Sequence, residues 1–451
     1  MDSEQPPSIA LVVLDTLRKD YFDKFFDWLP GIRFENAYST SQWTIPAHAS
    51  IFTGQYPLEV GVHSKHLYFD CPEPALAETL ADHEYTTRGF SANPNLSGHF
   101  GFDRGFDTFE SPLDLMHLNS DRIIDWKSFV DESSHSGLSM YAHGVLKCIF
   151  GDCNTVMSFR SGLQQVLSDN TYTNPGGSEE VQNWLTRQTF DDPSFLFLNL
   201  MEAHEPYWAP DEYMSVETPN LTHSIGDLVF EDEPNQTKTN PERIVTAYEC
   251  CARYLSDQYR DLFEQLSAMF DYVITVADHG ELLGEHDAWN HEHGIYPELT
   301  HVPLVVSGEG LKGKRDDVVS LVDIHTTVLR LAGIDNNQAT QGQNLFDTNS
   351  ERDILTQYTG LTPWSEDRLR ESDTSDDILE KYDEELYGIA TPDGSYAYQT
   401  VDKADVIGEG IDEPEERIQR LVNDLTVRNV ESQDDAIPDD VRQQLEDLGY
   451  A

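Results

Sequence analysis

An α/β fold built on a mostly parallel sheet is what this sequence predicts, and three observations carry it. Four short apolar, β-branched runs, IALVVL (9–14), FLFLNL (195–200), YVITVA (272–277) and VPLVVS (302–307), have the length and unbroken hydrophobicity of parallel strands buried on both faces. Helical stretches lie between them: ALAETLADH (75–83), EEVQNWLTRQ (179–188) and ECCARYLSDQYRDLFEQLSAMF (249–270). Strand and helix in alternation place helices on both faces of one sheet. The third observation is length, since 451 residues exceed what one small core can use and predict a large domain with a smaller one.

In chain order, the first strand ends on Asp15. WTIPAHASIFTG (43–54) then reads as a short helix, with Thr44 in the N-cap position, Pro46 in the first turn and Gly54 closing the far end. The region from about 111 to 178 is longer than a plain crossover needs and is expected to be an inserted helical cap; a second insert is expected over about 211–248. The large domain is expected to span 1–335, ending after LVDIHTTVLRLAGI (321–334). Residues 336–451 read as an acidic α+β subdomain, with a hairpin in GIATPDGSYAYQTV (388–401) and a closing helix in PDDVRQQLEDLGY (438–450).

Composition limits the partners. The chain carries 82 acidic against 29 basic residues, for a formal charge of -53, and only ten of the basic residues are Lys. The negative charge is spread along the whole chain, the pattern of a surface kept soluble in strong salt, where screening removes self-repulsion. Such a coat disfavours nucleic acid and anionic membranes as partners. No run approaches the length of a membrane span, and MDSEQPPS does not resemble a signal peptide. Cys71, Cys148, Cys153, Cys250 and Cys251 are odd in number and have no metal-finger spacing. Together these features predict a halophilic protein of a reducing cytoplasm.

Ligands of open parallel sheets bind beyond the carboxyl ends of the strands. Here one strand end delivers Asp15, another His204, and a third Asp278 and His279. Asp15, Asp278 and His279 form a plausible divalent-metal set of two hard oxygens and one imidazole. Taken alone, Asp15 reads equally well as a helix cap and DHGE as a simple turn; their coincidence at one edge favours the metal. Thr44 acquires a role beside it, because coordination lowers the pKa of a hydroxyl and a helix N-terminus suits an oxyanion. His48 lies one turn further on, and WNHEHGIYPELTHVPL (289–304) adds His291, His293 and His301 ahead of the fourth strand. Singly, each His is better read as a packed or surface residue. As a group in strand-end loops, some are expected to bind the anion or protonate a leaving oxygen. The implied reaction is cleavage or transfer at a sulfuryl or phosphoryl ester.

These residues resemble the sulfatase family of the alkaline phosphatase superfamily, and the resemblance runs nearly end to end. VVLDTLRKDYF is similar to the family's opening strand and metal Asp, and TIPAHASIFTGQYP to its signature, a Cys or Ser followed by x-Pro-x-Arg and Ala-Ser-Leu-x-Thr-Gly. NPNLSGHFGFDRGFDTF, FLFLNLMEAHEPY, VITVADHGELLGEH, YPELTHVPLVV, VSLVDIHTTVLRLAGI and the terminal LEDLGY resemble later blocks. The resemblance implies an alkaline-phosphatase-like fold. The departures are specific. Thr44 replaces the residue that becomes formylglycine, His48 replaces the signature Arg and is expected to take its place near the anion, Thr16 replaces the second of a paired Asp, and His301 replaces an Arg before Val-Pro-Leu.

Such changes resemble the phospho branch of the superfamily, whose members use an unmodified Thr beside a metal. That resemblance implies Thr44 as nucleophile and ligand, with Asp15, Asp278 and His279 completing the site for one divalent ion. Mn²⁺ is favoured, Ca²⁺, Mg²⁺ and Zn²⁺ stay open, and no formylglycine is expected. His48, His204, His293 and His301 complete the expected catalytic set; His204 with His291 or His293 imitates part of a second metal site. The expected partner is a small anionic ester, such as that of a sugar or polar head group. Two rivals stand beside this reading: a formylglycine-independent sulfatase in which Thr44 only positions a metal-bound water, and a catalytically inactive binding protein of the same fold.

Overall fold

The computed structural model describes residues 6–112, 176–190, 193–219, 240–335, 340–347, 352–371, 374–401, 403–407 and 410–430. The greater part of both expected insertions (about 111–178 and 211–248), the closing helix at 438–450 and the terminal LEDLGY lie outside the described residues. The large domain holds strands β1 (Ile9–Leu14), β2 (Ile32–Tyr38), β3 (Thr86–Ser91), β4 (Thr108–Glu110), β5 (Ser194–Leu200) and β6 (Tyr272–Val276), a small ribbon of β7 (Leu282–Leu283) and β8 (Trp289–Asn290), and then β9 (His301–Gly308) and β10 (Gly313–Ser320). Eight of them make one sheet in the order β10-β2-β9-β6-β1-β5-β3-β4.

β1 lies between β5 and β6, parallel to both, and all six of its residues are fully buried. At about 1.5–3 kcal/mol for each large apolar side chain taken from water, this central strand anchors the domain. VPLVVS is a strand as expected but not a parallel one. β9 runs antiparallel to β6, with Val306 opposite Ile274, and antiparallel to β2. The chain leaves β6 and returns from the same edge of the sheet, so no crossover intervenes and the strand must reverse. The strands that periodicity passed over are those with mixed exposure, such as β10, GKRDDVVS, where only the last three residues are buried.

The helix Thr44–Thr53 is buried along its whole length and ends at Gly54, whose φ of 70° is left-handed. A side chain at 54 would also strike the Thr340 hydroxyl, so glycine is required twice over. Its N-cap is Trp43 in an extended conformation, which corrects the expected cap and makes Thr44 the first helical residue. The long helix Pro241–Met269 starts earlier than its apolar pattern suggested, because Asn240 accepts a hydrogen bond from the Glu242 amide at 3.0 Å and caps it.

The smaller sheet has the order β11 (Ile354–Tyr358), β12 (Leu386–Ala390), β13 (Tyr396–Thr400) and β14 (Lys403–Ile407), and β12 and β13 are the expected hairpin. It joins the loop that leads to Thr44: the Gln357 amide donates to the Thr40 carbonyl at 2.9 Å and the Thr356 hydroxyl to the Ser39 carbonyl at 2.9 Å. The second sheet thereby positions the segment that delivers the helix Thr44–Thr53.

Candidate active site

Neighbouring parallel strands end at one level, so β5, β1 and β6 bring Asn199, Asp15 and the pair Asp278–His279 side by side. Thr44 arrives from the helix across from them. His279 Nε2 lies 3.3 Å from Thr44 Oγ1, 3.7 Å from Asp15 Oδ1 and 3.4 Å from Asp278 Oδ2, and all four residues are buried. The ligand atoms of Asp15, Asp278 and His279 lie within 4.8 Å of one another.

The remaining contacts orient these atoms. Asn93 and Asn199 each donate a side-chain amide hydrogen to Asp15 Oδ2 at 2.9 Å, and Asn93 also reaches Thr44 Oγ1 at 3.3 Å. The Thr16 hydroxyl donates to Asp15 Oδ1 at 2.9 Å. Asp278 Oδ1 accepts the backbone N–H of Thr16 at 3.2 Å and of His279 at 2.9 Å. His279 Nδ1 faces the Gly280 carbonyl at 2.9 Å, and a carbonyl can only accept, so the proton sits on Nδ1 and leaves Nε2 a lone pair facing the cluster.

Two carboxylates buried together are electrostatically unbalanced. Burial works to raise the Asp15 pKa, but the imidazoles of His204 and His279 and the amides of Asn199 and Asn93 outweigh it and hold it at about 2. Asp278 is pushed well above the carboxylate range, by burial first and then by the Asp15 charge. Its Oδ2 has no hydrogen-bond partner among the described residues, an expensive state for a buried acceptor. A divalent cation is the group that fits: it would meet Asp278 Oδ2, the His279 lone pair and Asp15 together and cancel the excess negative charge.

A cleft opens from this cluster, lined by Gln42, Trp43, Thr44, Asn95, His204 and His291, with Trp364 and Arg368 of the helix Pro363–Glu371 on the far wall. The His204 and His291 rings are 5.2 Å apart, and His291 is 4.5 Å from the His279 ring. His291 Nδ1 pairs with Glu281 at 3.0 Å, and Glu281 also accepts from the Tyr207 hydroxyl at 2.9 Å. Burial works to lower the His291 pKa, but the Glu281 carboxylate overcomes it and raises it to about 10, so His291 carries its proton at neutral pH.

The other sequence-predicted histidines do not reach the cleft. His48 packs edge-on against Phe197 and Phe52 behind the helix, with Nδ1 2.9 Å from the Thr44 carbonyl, and burial lowers its pKa to about 4. Its Nδ1 also lies 3.6 Å from Asp278 Oδ2, so the ring borders the cluster from behind the helix, but a neutral ring cannot supply the charge of the Arg it replaces. His293 lies between Tyr358 of β11 at 4.9 Å and Tyr382 of the helix Asp376–Tyr382 at 4.7 Å, as packing against the smaller sheet and its helix. His301 stacks on Tyr38 and bonds the Glu35 carbonyl at 2.7 Å, locking β9 to β2. Sequence reasoning missed Asn93, Asn199 and Glu281. The signal for Asn199 was its lone polar side chain in an apolar strand; for Asn93 and Glu281 it was only their adjacency to strand ends.

Residues 24–334, more than half of the chain, match the profile of the Sulfatase family. The chain belongs to the sulfatase family. The curated relatives it matches are named as sulfatases. It is 23% identical over 348 residues to the uncharacterised sulfatase YidJ of Escherichia coli, covering 73% of this chain and 66% of the relative. With an arylsulfatase of Clostridium perfringens the identity is 24% over 401 residues, 77% of this chain and 79% of the relative. The solved phosphonate monoester hydrolase of Agrobacterium radiobacter superposes with a TM-score of 0.61 at 15% identity, covering 98% of this chain and 95% of that one, which establishes the shared alkaline-phosphatase-like fold. This sulfatase-family chain has no helix among its described residues long and apolar enough to cross a membrane.

Proposed function

We propose that the protein hydrolyses or transfers sulfate or phosphate esters through Thr44 as the attacking group, with one divalent cation held by Asp15, Asp278, His279 and Thr44. The observation that carries this reading is the Thr44 hydroxyl, 3.3 Å from His279 Nε2 at the opening of a buried helix and lining the cleft. A cation held there would supply positive charge that lowers the pKa of the Thr44 hydroxyl and polarises the ester. Thr44 Oγ gives its proton to solvent in the cleft and bonds to the sulfur or phosphorus as the bond to the leaving alcohol breaks. The protonated His291, beside His204, binds the anion and gives the departing oxygen its proton. Water or an acceptor alcohol then releases Thr44. Trp43 and Trp364 line the same cleft, which suits an alcohol with a flat or apolar face, such as a sugar or aryl group. The acidic surface and the buried free thiols of Cys71, Cys250 and Cys251 support work in a salt-rich, reducing cytoplasm.

The test is turnover of matched aryl sulfate, phosphate monoester and phosphodiester substrates in high salt with added cation, for the wild type and Thr44→Ala. Loss of all turnover in a folded Thr44→Ala, with a sulfated or phosphorylated Thr44 trapped by mass spectrometry in the wild type, is the expected result. Sulfate turnover that survives Thr44→Ala would remove the nucleophile role and leave Thr44 a positioning group. Absence of both turnover and metal uptake would make the chain a binding protein.

A further inference from the structure

We infer that the cleft beside Thr44 holds an ammonium subsite, in which the Glu205 carboxylate and the rings of Trp43 and Trp364 receive a positive charge carried by the leaving alcohol; the inference rests on the reading of Thr44 as the reacting group. The preferred ester is then a zwitterion, the sulfate or phosphate ester of an alcohol that bears an amino or quaternary-ammonium group.

Charge in the cleft is matched everywhere but at one residue. Its charged or titratable lining consists of His204, Glu205, His291, Glu292 and Arg368. Arg368 Nη2 lies 3.3 Å from Glu292 Oε1, and the Ser365 hydroxyl donates to the other oxygen of that carboxylate. His291 is matched by Glu281 at 3.0 Å. His204 Nδ1 faces the Glu205 carbonyl at 2.6 Å, so this nitrogen holds the backbone of Glu205 and not its acid. Among the described residues the Glu205 carboxylate accepts no hydrogen bond and enters no ion pair. Burial raises its pKa, the Glu281 charge raises it further, and His204 and His291 offset only part of this. A half-buried carboxylate without a donor is costly, and a cationic ligand relieves it where a neutral or anionic one cannot.

The aromatic residues point to the same class of ligand. Trp43 directly precedes Thr44, and Trp364 stands in the first turn of the helix Pro363–Glu371. Their rings are 5.8 Å apart at 81°, and both line the cleft. The face of an indole attracts an ammonium more strongly than that of any other side chain, and quaternary ammonium groups are its best-known ligands. The two ends of the substrate are thereby sorted. The protonated His291 attracts the ester anion, and Glu205, which directly follows His204 beside the departing oxygen, places its negative charge on the leaving-group side.

The test compares esters that differ in charge and little in shape, using the full-length protein in high salt with added divalent cation. The pairs are choline against 3,3-dimethylbutanol, and glucosamine against glucose esterified at the 6-hydroxyl, each as sulfate and as phosphate. Wild-type kcat/KM is expected to favour the cationic member of at least one pair by about tenfold or more. Glu205→Gln should pull that ratio toward one, and Trp364→Ala should lower it about threefold or more. Which pair responds tells a small head group from an amino sugar, and either response supports the subsite. Should Glu205→Gln not fold, the wild-type ratios and the inhibition by free choline against free 3,3-dimethylbutanol decide. Equal turnover within both pairs, or a preference unchanged in a folded Glu205→Gln, would overturn the ammonium subsite and leave the ester reaction standing. No turnover of any ester, aryl esters included, would overturn the reaction at Thr44. Calorimetry with choline and 3,3-dimethylbutanol would then decide the subsite alone, and equal binding would overturn it as well.

Discussion

Asp278→Asn should make the metal-free protein more stable while abolishing its response to cations. Asp278 is fully buried, its Oδ2 lacks a hydrogen-bond partner, and its charge opposes that of Asp15. Asparagine keeps the carbonyl oxygen that accepts from the Thr16 and His279 amides. The new side-chain N–H₂ replaces Oδ2, which lies 3.4 Å from the His279 Nε2 lone pair, so an orphan acceptor becomes a donor facing an acceptor. Removing an unsatisfied buried acceptor is worth about 1–3 kcal/mol. Saturating cation acts on the other side of the comparison: at about 100 times its dissociation constant it stabilises the wild type by about 2.7 kcal/mol, and a variant lacking one charged ligand should gain little of this. The assay is thermal unfolding in high salt, with chelator and then with excess Zn²⁺. The variant should melt higher than the wild type in chelator, and the difference should shrink or reverse with the ion. A variant that melts lower in chelator would show that the Asp278 anion is already well stabilised, and the reasoning that a cation completes the site would fail.

The other expectations are direct. Thr44→Ala should lower kcat by at least about a thousandfold while the fold, followed by circular dichroism, is unchanged; a loss below about tenfold would remove Thr44 from the chemistry. Because His291 is held protonated up to about pH 10 by Glu281, its ion pair stabilises the fold below the ordinary histidine range and is lost as pH rises through that value. Glu281→Gln should therefore pull the alkaline limb of the kcat profile toward neutrality, and an unmoved limb would exclude His291 as the proton donor. Trp364→Ala should raise KM for aryl or glycosyl esters about three- to tenfold with kcat little changed; a fall in kcat alone would contradict a leaving-group role. With a formal charge of -53, the chain should melt higher as salt rises from about 0.1 M to about 2 M, as the screening length falls from about 10 Å to about 2 Å; a flat response would sink the halophilic reading.

What could be read in advance follows from which features are local. β1 was legible to the residue because a strand buried on both faces is an unbroken apolar run whose ends are set by polar neighbours. The direction of β9 was not, since VPLVVS has the same composition in either orientation and only the course of residues 277–300 reverses it. The metal-ligand candidates were legible because Asp15, Asp278 and His279 each stand directly beyond a strand, where periodicity breaks and polar residues must have a reason. The histidines divided differently. His291 and His293 are two residues apart in one loop, yet one faces the cleft and the other packs between Tyr358 and Tyr382. No pattern in the sequence separates them, because the choice is made by a sheet that lies some 60 residues further along the chain.

The Asn93 and Asn199 pair shows why the ligands alone were an incomplete account of the site. Both amides converge on one oxygen of Asp15, Asn199 from β5 and Asn93 from the loop that follows β3, and each is a neutral residue whose value appears only when the sheet is assembled. Burial opposes the Asp15 charge, but His204 and His279, joined by these two amides, outweigh it and hold the pKa at about 2. The neighbouring Asp278 lacks that support and is driven the other way. The two carboxylates are thus unequal before any ligand arrives, one settled by the protein and the other left needing a positive partner. That asymmetry is what a cation would resolve, and it sets this buried pair apart from acids that water already satisfies.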